Sequence, residues 1–119
     1  AAVAWTFVNE QVTENQQKKY GTLARKLPAM IQTNGLGTAM AFLLAKGGKD
    51  QRDAHHIIFR HVSEWVTQLM GYTSGDLMHL VRNESMKNYR RAMTESIEFA
   101  IWIKRYVEAN DWGSAGDDE

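Results

Sequence analysis

The chain has 119 residues, 44% of them hydrophobic and 24% charged, a size and balance that suit one globular domain and leave little room for a second core. No apolar run approaches the roughly 20 residues that cross a bilayer, no signal peptide is visible, and the absence of cysteine excludes disulfides, thiolate nucleophiles and zinc–thiolate sites while agreeing with a reducing, cytoplasmic setting. The formal net charge of zero is unevenly spread: residues 1–107 hold all 14 Lys and Arg against 9 acids, whereas the last 12 hold Glu108, Asp111, Asp117, Asp118 and Glu119 and no base.

Residues 1–19 contain neither Gly nor Pro, and Trp5, Val8 and Val12 line one side of a first helix whose polar end carries Lys18 and Lys19, cations that suit a helix C-terminus. Leu23, Leu27 and Ile31 continue at helical spacing. Pro28 lacks an N–H and its ring crowds the carbonyl of Ala24, so a new helix is expected to begin there. Asn34 and Gly35 then take the positive φ that closes a helix. Leu36, Ala39, Met40, Leu43 and Leu44 make the next apolar face, stopped by Gly47 and Gly48.

Asp50 is the expected N-cap of a helix running to about Met70. Its buried stripe is Ala54, Ile58, Val62, Trp65, Val66 and Leu69, with Arg52, His56, Arg60, Ser63 and Thr67 opposite and Gly71 at its end. Ser74 opens a short helix holding Leu77, Met78, Leu80 and Val81. The last helix, 86–109, turns Tyr89, Met93, Ile97, Ala100, Ile101 and Ile103 inward and Arg91, Glu95, Glu98, Trp102 and Arg105 outward. No segment alternates as a strand does, and no repeat of 20 to 50 residues is present. The fold class is all-α: a compact single-domain bundle of about five to six helices over 1–109, followed by an acidic tail, 110–119, with too little to bury to hold a fixed structure.

Catalytic and metal chemistry find little support. His55, His56 and His61 do not share the three- or four-residue spacing that puts two metal ligands on one helix face, and His61, on the apolar stripe, reads as a hydrogen-bonded core residue. Asp50 with Asp53, and Glu95 with Glu98, are carboxylate pairs of the kind common on solvated faces. Asn34-Gly35-Leu36-Gly37 lacks the Lys-Ser or Lys-Thr of a phosphate loop. No enzyme, metal or cofactor is expected.

Basic clusters are the richer signal, because phosphate binding requires several cations along one path. Lys18, Lys19, Arg25 and Lys26 form one edge; Arg52, His56 and Arg60 a second; Lys87, Arg90, Arg91, Lys104 and Arg105 a third. The alternative is local pairing, of Arg91 with Glu95 and of Lys104 with Glu108. Arg25, Lys26 and Arg90 have no local acid and are the better phosphate contacts. Trp102 could stack on a base or a partner protein; the favoured reading buries it under the first helix.

The strings YGTLARKLPAMIQTNGLGTAMAFL (20–43) and YRRAMTESIEFAIWIKRYVEA (89–109) resemble the small helical subunit, the fifth, of the Cmr-type (type III-B) CRISPR effector complex. The resemblance lies in a Leu-Pro helix ended by Asn-Gly-Leu, paired with a Tyr-Arg-Arg helix that ends in Trp-x-Lys-Arg-Tyr. It implies a non-catalytic scaffold for antiviral defence, stacking with copies of itself and other Cmr subunits into a filament that helps form the groove for guide and target RNA. Sequence would be read by the guide and not by this subunit. Carried onto matching positions, Arg25, Lys26, Arg90, Arg91, Lys104 and Arg105 become candidate RNA or subunit contacts. The alternative is a helical protein-binding module that does not touch RNA.

Overall fold

Apolar residues at three- and four-residue intervals become helix throughout the computed structural model of the chain, which describes residues 2–71, 77–78 and 85–113. A short arm, α1 (Ala2–Gln11), and a 3-10 turn (Glu14–Gln16) lead into α2 (Gln17–Asn34), α3 (Leu36–Gly47), α4 (Ala54–Leu69) and α5 (Met86–Ala109). The α2 helix is central, lying against α3, α4 and α5; α3 packs on α4, and α1 on α5. The core is continuous. Tyr20, Leu23, Leu27 and Ile31 of α2 meet Leu36, Met40 and Leu43 of α3, Ile58 and Val62 of α4, and Phe99 and Ile103 of α5, all buried.

Among the described residues the bundle proper is thus four helices, with α1 as an arm, and not the five to six expected. The main reason is Pro28, which sits inside α2 without breaking it. An interior proline costs about 3 kcal/mol. Breaking the helix would turn Leu23 or Ile31 off a face on which both are buried, and each such side chain contributes roughly 1.5–3 kcal/mol. Burial therefore wins. Of the two residues expected to close α2 with a positive φ, Gly35 does so, at 87°, and joins α2 to α3, while Asn34 remains the last residue of the helix.

The first helix ends earlier than expected, at Gln11, and the chain turns where the Thr13 N–H donates to Gln16 Oε1 at 2.9 Å. Lys18 and Lys19 consequently stand in the first turn of α2, the helix end that disfavours cations. The start of α4 also moves. Asp53, not Asp50, is its N-cap and accepts from the His55 N–H at 2.9 Å, while Asp50 accepts from the Arg52 N–H within the preceding turn.

The α4 face opposite the apolar stripe is not free. His56, Ser63 and Thr67 are buried, and the His56 Nε2–H donates to the Gly48 carbonyl at 2.6 Å. Gly47 permits this, since a Cβ there would collide with the His56 ring. Along α5 the buried residues are Ala92, Ser96, Phe99, Ala100, Ile103 and Val107, so Tyr89, Met93, Ile97 and Ile101 are only half-buried. Small side chains at 92, 96 and 100 allow close approach to a neighbouring helix, and α2 is the principal neighbour. Of the short helix expected after Ser74, Leu77 and Met78 are helical and Leu77 is buried; the rest lies outside the described residues. So does the acidic segment from 114 onward.

Candidate functional site

Polar connections converge at one end of the bundle. The 3-10 turn, the first turn of α2, the 50–53 turn and the first turns of α4 enclose a cleft of about 780 Å³ lined by Gln11, Thr13, Asn15, Gln16, Lys19, Asp50, Arg52, Asp53, Ala54, Ile57, Arg60 and His61. The Gln16 Nε2 ties the two rims by donating to the Arg52 carbonyl at 2.7 Å. Arg60 Nη1 donates to the Gln51 carbonyl at 2.8 Å, which holds its guanidinium over the turn. The Arg52 side chain is 91% exposed and only loosely paired with Asp50, at 3.9 Å.

Beside these cations the acids are engaged. Asp53 Oδ2 is 3.4 Å from Lys19 Nζ, and its Oδ1 is 2.6 Å from the His55 Nδ1. Burial would raise the Asp53 carboxyl, but hydrogen bonds from the His55 backbone and ring, with the charge of Lys19, outweigh it and hold the group below the usual carboxylate value.

His61 forms the inner wall. Its Nε2 is 3.1 Å from Gln11 Oε1 and its Nδ1 is 2.8 Å from the Tyr20 hydroxyl. An amide oxygen only accepts, so the ring proton sits on Nε2 and Nδ1 receives the Tyr20 O–H. Burial, reinforced by the nearby Arg60, pushes the imidazole down to about 4, and burial raises the Tyr20 phenol. A neutral ring with both nitrogens bonded has no position for a substrate proton. The sequence reading of His61 as a core residue holds. Among the described residues no group of three or more His, Asp or Glu could hold a metal ion. The cleft thus gathers Lys19, Arg52 and Arg60 beside Asp50 and Asp53.

The expected basic edges are redistributed. Lys19, Arg52 and Arg60 come together in the cleft, with the exposed Lys18 beside them on α2. Arg25 goes elsewhere: it is 3.5 Å from Glu108, with its side chain 17% exposed, and its Nε donates to the Trp112 carbonyl at 3.4 Å. It is a clamp between α2 and the chain after α5, and it takes the acid expected to pair with Lys104. Lys26 and Lys104 are half-buried, whereas Lys87, Arg90 and Arg91 are exposed. At about 1.5 Å per residue, Arg90 and Arg105 stand some 20 Å apart along α5, so the third stripe is two patches.

Trp102 is not buried under α1. It is 37% exposed, stacked on Tyr106 at 6.0 Å and covered on one face by the Arg105 guanidinium at 4.8 Å. Trp5 reaches Tyr106 edge-on at 5.0 Å, so α1 covers the tyrosine and leaves the tryptophan at the surface. The amides of Gln11, Asn15 and Gln16 in the cleft were not singled out by sequence reasoning. Gln11 and the polar run from Thr13 to Gln17 are the signal that could have found them.

Similarity to known proteins extends along most of the chain. Residues 1–110 match a family model described as CRISPR-associated protein (Cas_Cmr5). A relative from Thermus thermophilus, the CRISPR system Cmr subunit Cmr5, is 27% identical over 110 residues, spanning 92% of this chain and 90% of the relative. The crystal structure of a CRISPR-associated Cmr5 family protein from the same organism superposes with a TM-score of 0.69 at 28% identity, covering 91% of this chain and 89% of that one.

Proposed function

The chain belongs to the CRISPR-associated Cmr5 family and is a Cmr complex subunit in CRISPR defence, and from that premise we propose that it is a cytoplasmic, non-catalytic architectural piece of a type III-B effector. Copies stack head to tail, contact the other Cmr subunits, and present cations to the phosphates of guide and target RNA. The observation that carries the RNA contact is the convergence of Lys19, Arg52 and Arg60 on one open cleft. Cations so placed can follow a phosphate backbone without reading bases. Arg90 and Arg91, exposed near the start of α5, extend the same role to a second surface.

The test is salt-dependent binding of single-stranded RNA by the assembled complex and by the isolated subunit. Replacing Arg52 and Arg60 by Ala lowers the slope of log affinity against log salt by about 1 to 2. An unchanged slope and affinity would remove direct RNA contact at the cleft. A second reading, a protein-binding module without RNA contact, has its own observation. Trp5 and Trp102 are 45% and 37% exposed, and Trp, Tyr and Arg are the residues that dominate protein interfaces. On that reading Trp102→Ala abolishes co-purification with companion subunits, and nuclease treatment leaves it intact.

A further inference from the structure

The Lys19–Arg52–Arg60 cleft is larger and less charged than a track for phosphates alone requires. Its volume of about 780 Å³ falls within the roughly 300–1,000 Å³ of sites that enclose a small molecule. Its three cations face Asp50 and Asp53, a surplus of only one positive charge, and the neutral His61 adds none. Lys19 and Arg52 also lean on those acids, at 3.4 and 3.9 Å. Charge therefore accounts for little of the space.

The rest of the lining is hydrocarbon and amide. Ala54 and Ile57, 3% and 4% exposed, supply an apolar floor from the first turn of α4. Gln11, at the end of α1, and Asn15, in the 3-10 turn, are exposed and line the same cleft. The Gln11 Oε1 is 3.1 Å from His61 Nε2, which fixes the amide and leaves its Nε2–H2 to donate into the cleft. The Asn15 amide offers a donor and an acceptor and has no hydrogen-bond partner among the described residues. Gln16, one residue on, anchors this turn to the Arg52 carbonyl at 2.7 Å, so the amides stand on a tethered segment. An apolar floor beside amides suits a flat heteroaromatic ring whose edge carries hydrogen-bonding groups, and cations alongside suit a phosphate on the same residue.

We propose that the cleft seats one nucleotide of a single-stranded RNA with its base turned inward, the base against Ala54 and Ile57 and bonded to the Gln11 and Asn15 amides, the phosphate on Arg52 and Arg60. This rests on the RNA-contact reading above and extends it, because the strand is held by a base as well as by its phosphates. The seat takes any of the four bases. Each has a donor and an acceptor side by side on its edge, and the Asn15 amide can turn to meet either order. Sequence is left to pairing with the guide, and since a base must leave its stack to enter, the cleft selects unpaired over paired RNA.

The test compares, on the full chain, a decameric oligouridylate with an abasic oligomer of the same length and phosphate count. The oligouridylate should bind about tenfold more tightly, the scale of one seated base. It should shift the Ile57 methyl and Asn15 side-chain amide resonances, which the abasic oligomer should leave in place. Asn15→Ala, an exposed substitution, should cut the difference between the oligomers to about threefold by removing its hydrogen bonds. Arg52→Ala/Arg60→Ala should weaken both oligomers alike, and Trp102→Ala should leave their difference intact. Oligouridylate and oligocytidylate should agree within about threefold, as for a seat that holds bases without choosing among them; a larger gap overturns the base-blind seat. Equal binding of the uridylate and abasic oligomers, or a base preference that Trp102→Ala removes and Asn15→Ala does not, overturns the proposal and leaves the phosphate reading standing. Binding of neither oligomer removes both readings. Uridine 5′-monophosphate, lacking the multivalency of a strand, should bind about a hundredfold more weakly than the oligomer; saturation of the Ile57 and Asn15 signals at the oligomer's own concentration would make a free nucleotide the ligand and overturn the strand assignment.

Discussion

His61 shows how one residue decides what a cleft is for. It sits at the junction of α1, α2 and α4, accepting from Tyr20 and donating to Gln11, and it is 2% exposed. The folded ring stays neutral until about pH 4, whereas in the unfolded chain it takes up a proton near pH 6.5. Between those values the unfolded state binds more protons, so stability falls as pH is lowered through that window, by up to about 3 kcal/mol in total. Below about pH 4 both states are protonated and this contribution changes no further. Urea midpoints at pH 7.0, 5.5 and 4.5 should therefore decline, and His61→Gln should flatten most of the decline. Asp53 adds a loss in the same direction at lower pH, because its carboxyl is held down in the folded state, and Asp53→Asn separates the two. The burial of His61 was legible in the sequence, since it lies on the apolar stripe of α4. The choice of Asp53 over Asp50 as N-cap was not: both are good caps three residues apart, and among the partners of Asp53 is Lys19, thirty-four positions away.

At the scale of elements, α2 is where local preference and packing disagree most. Local rules divide the segment at Pro28, and the apolar spacing of Leu23, Leu27 and Ile31 carries straight through it. Since packing prevails, replacing the proline should release a cost. Pro28→Ala restores an N–H able to donate to the Ala24 carbonyl and relieves the ring clash, set against the greater freedom it gives the unfolded chain. The expected net gain is about 1–2 kcal/mol, read as a raised thermal midpoint with unchanged helical circular dichroism. A loss of stability would mean that the Pro28 ring itself packs well enough to offset its backbone cost. The same competition explains the other departures. The face of α4 holding His56, Ser63 and Thr67 reads as solvated from local periodicity, yet it is buried because α4 has neighbours on more than one side. On α5, the buried positions shift toward Ala92, Ser96 and Ala100, for which size matters more than hydropathy. Helix class and the corner at Gly35 were legible because they depend on spacing and on one glycine; which face of a helix is covered depends on how many neighbours arrive.

For the whole molecule, the sequence shows how many cations there are and the fold shows which ones share a surface. Fourteen bases look interchangeable along the chain. In the structure, Lys19 joins Arg52 and Arg60, 33 and 41 residues further on, in one cleft; the Arg52–Arg60 pairing was legible from local spacing, and the arrival of Lys19 was not. Arg25, read with Lys26 and Arg90 as lacking a local acid, instead joins α2 to Glu108 and to the Trp112 carbonyl. The two kinds of cation should separate in one experiment. Arg25→Ala removes a partly exposed ion pair and a hydrogen bond, so it should lower unfolding stability by about 1 kcal/mol and redden the tryptophan emission as Trp112 loosens. Its RNA affinity and salt slope, measured well below the unfolding transition, should stay at the wild-type value. Arg52→Ala/Arg60→Ala should do the reverse, with a shallower salt slope and stability changed by less than about 0.5 kcal/mol, as expected for surface positions. If Arg25→Ala instead weakens RNA binding at full stability, the phosphate path runs along the α2–α5 edge and not through the cleft between α2 and α4.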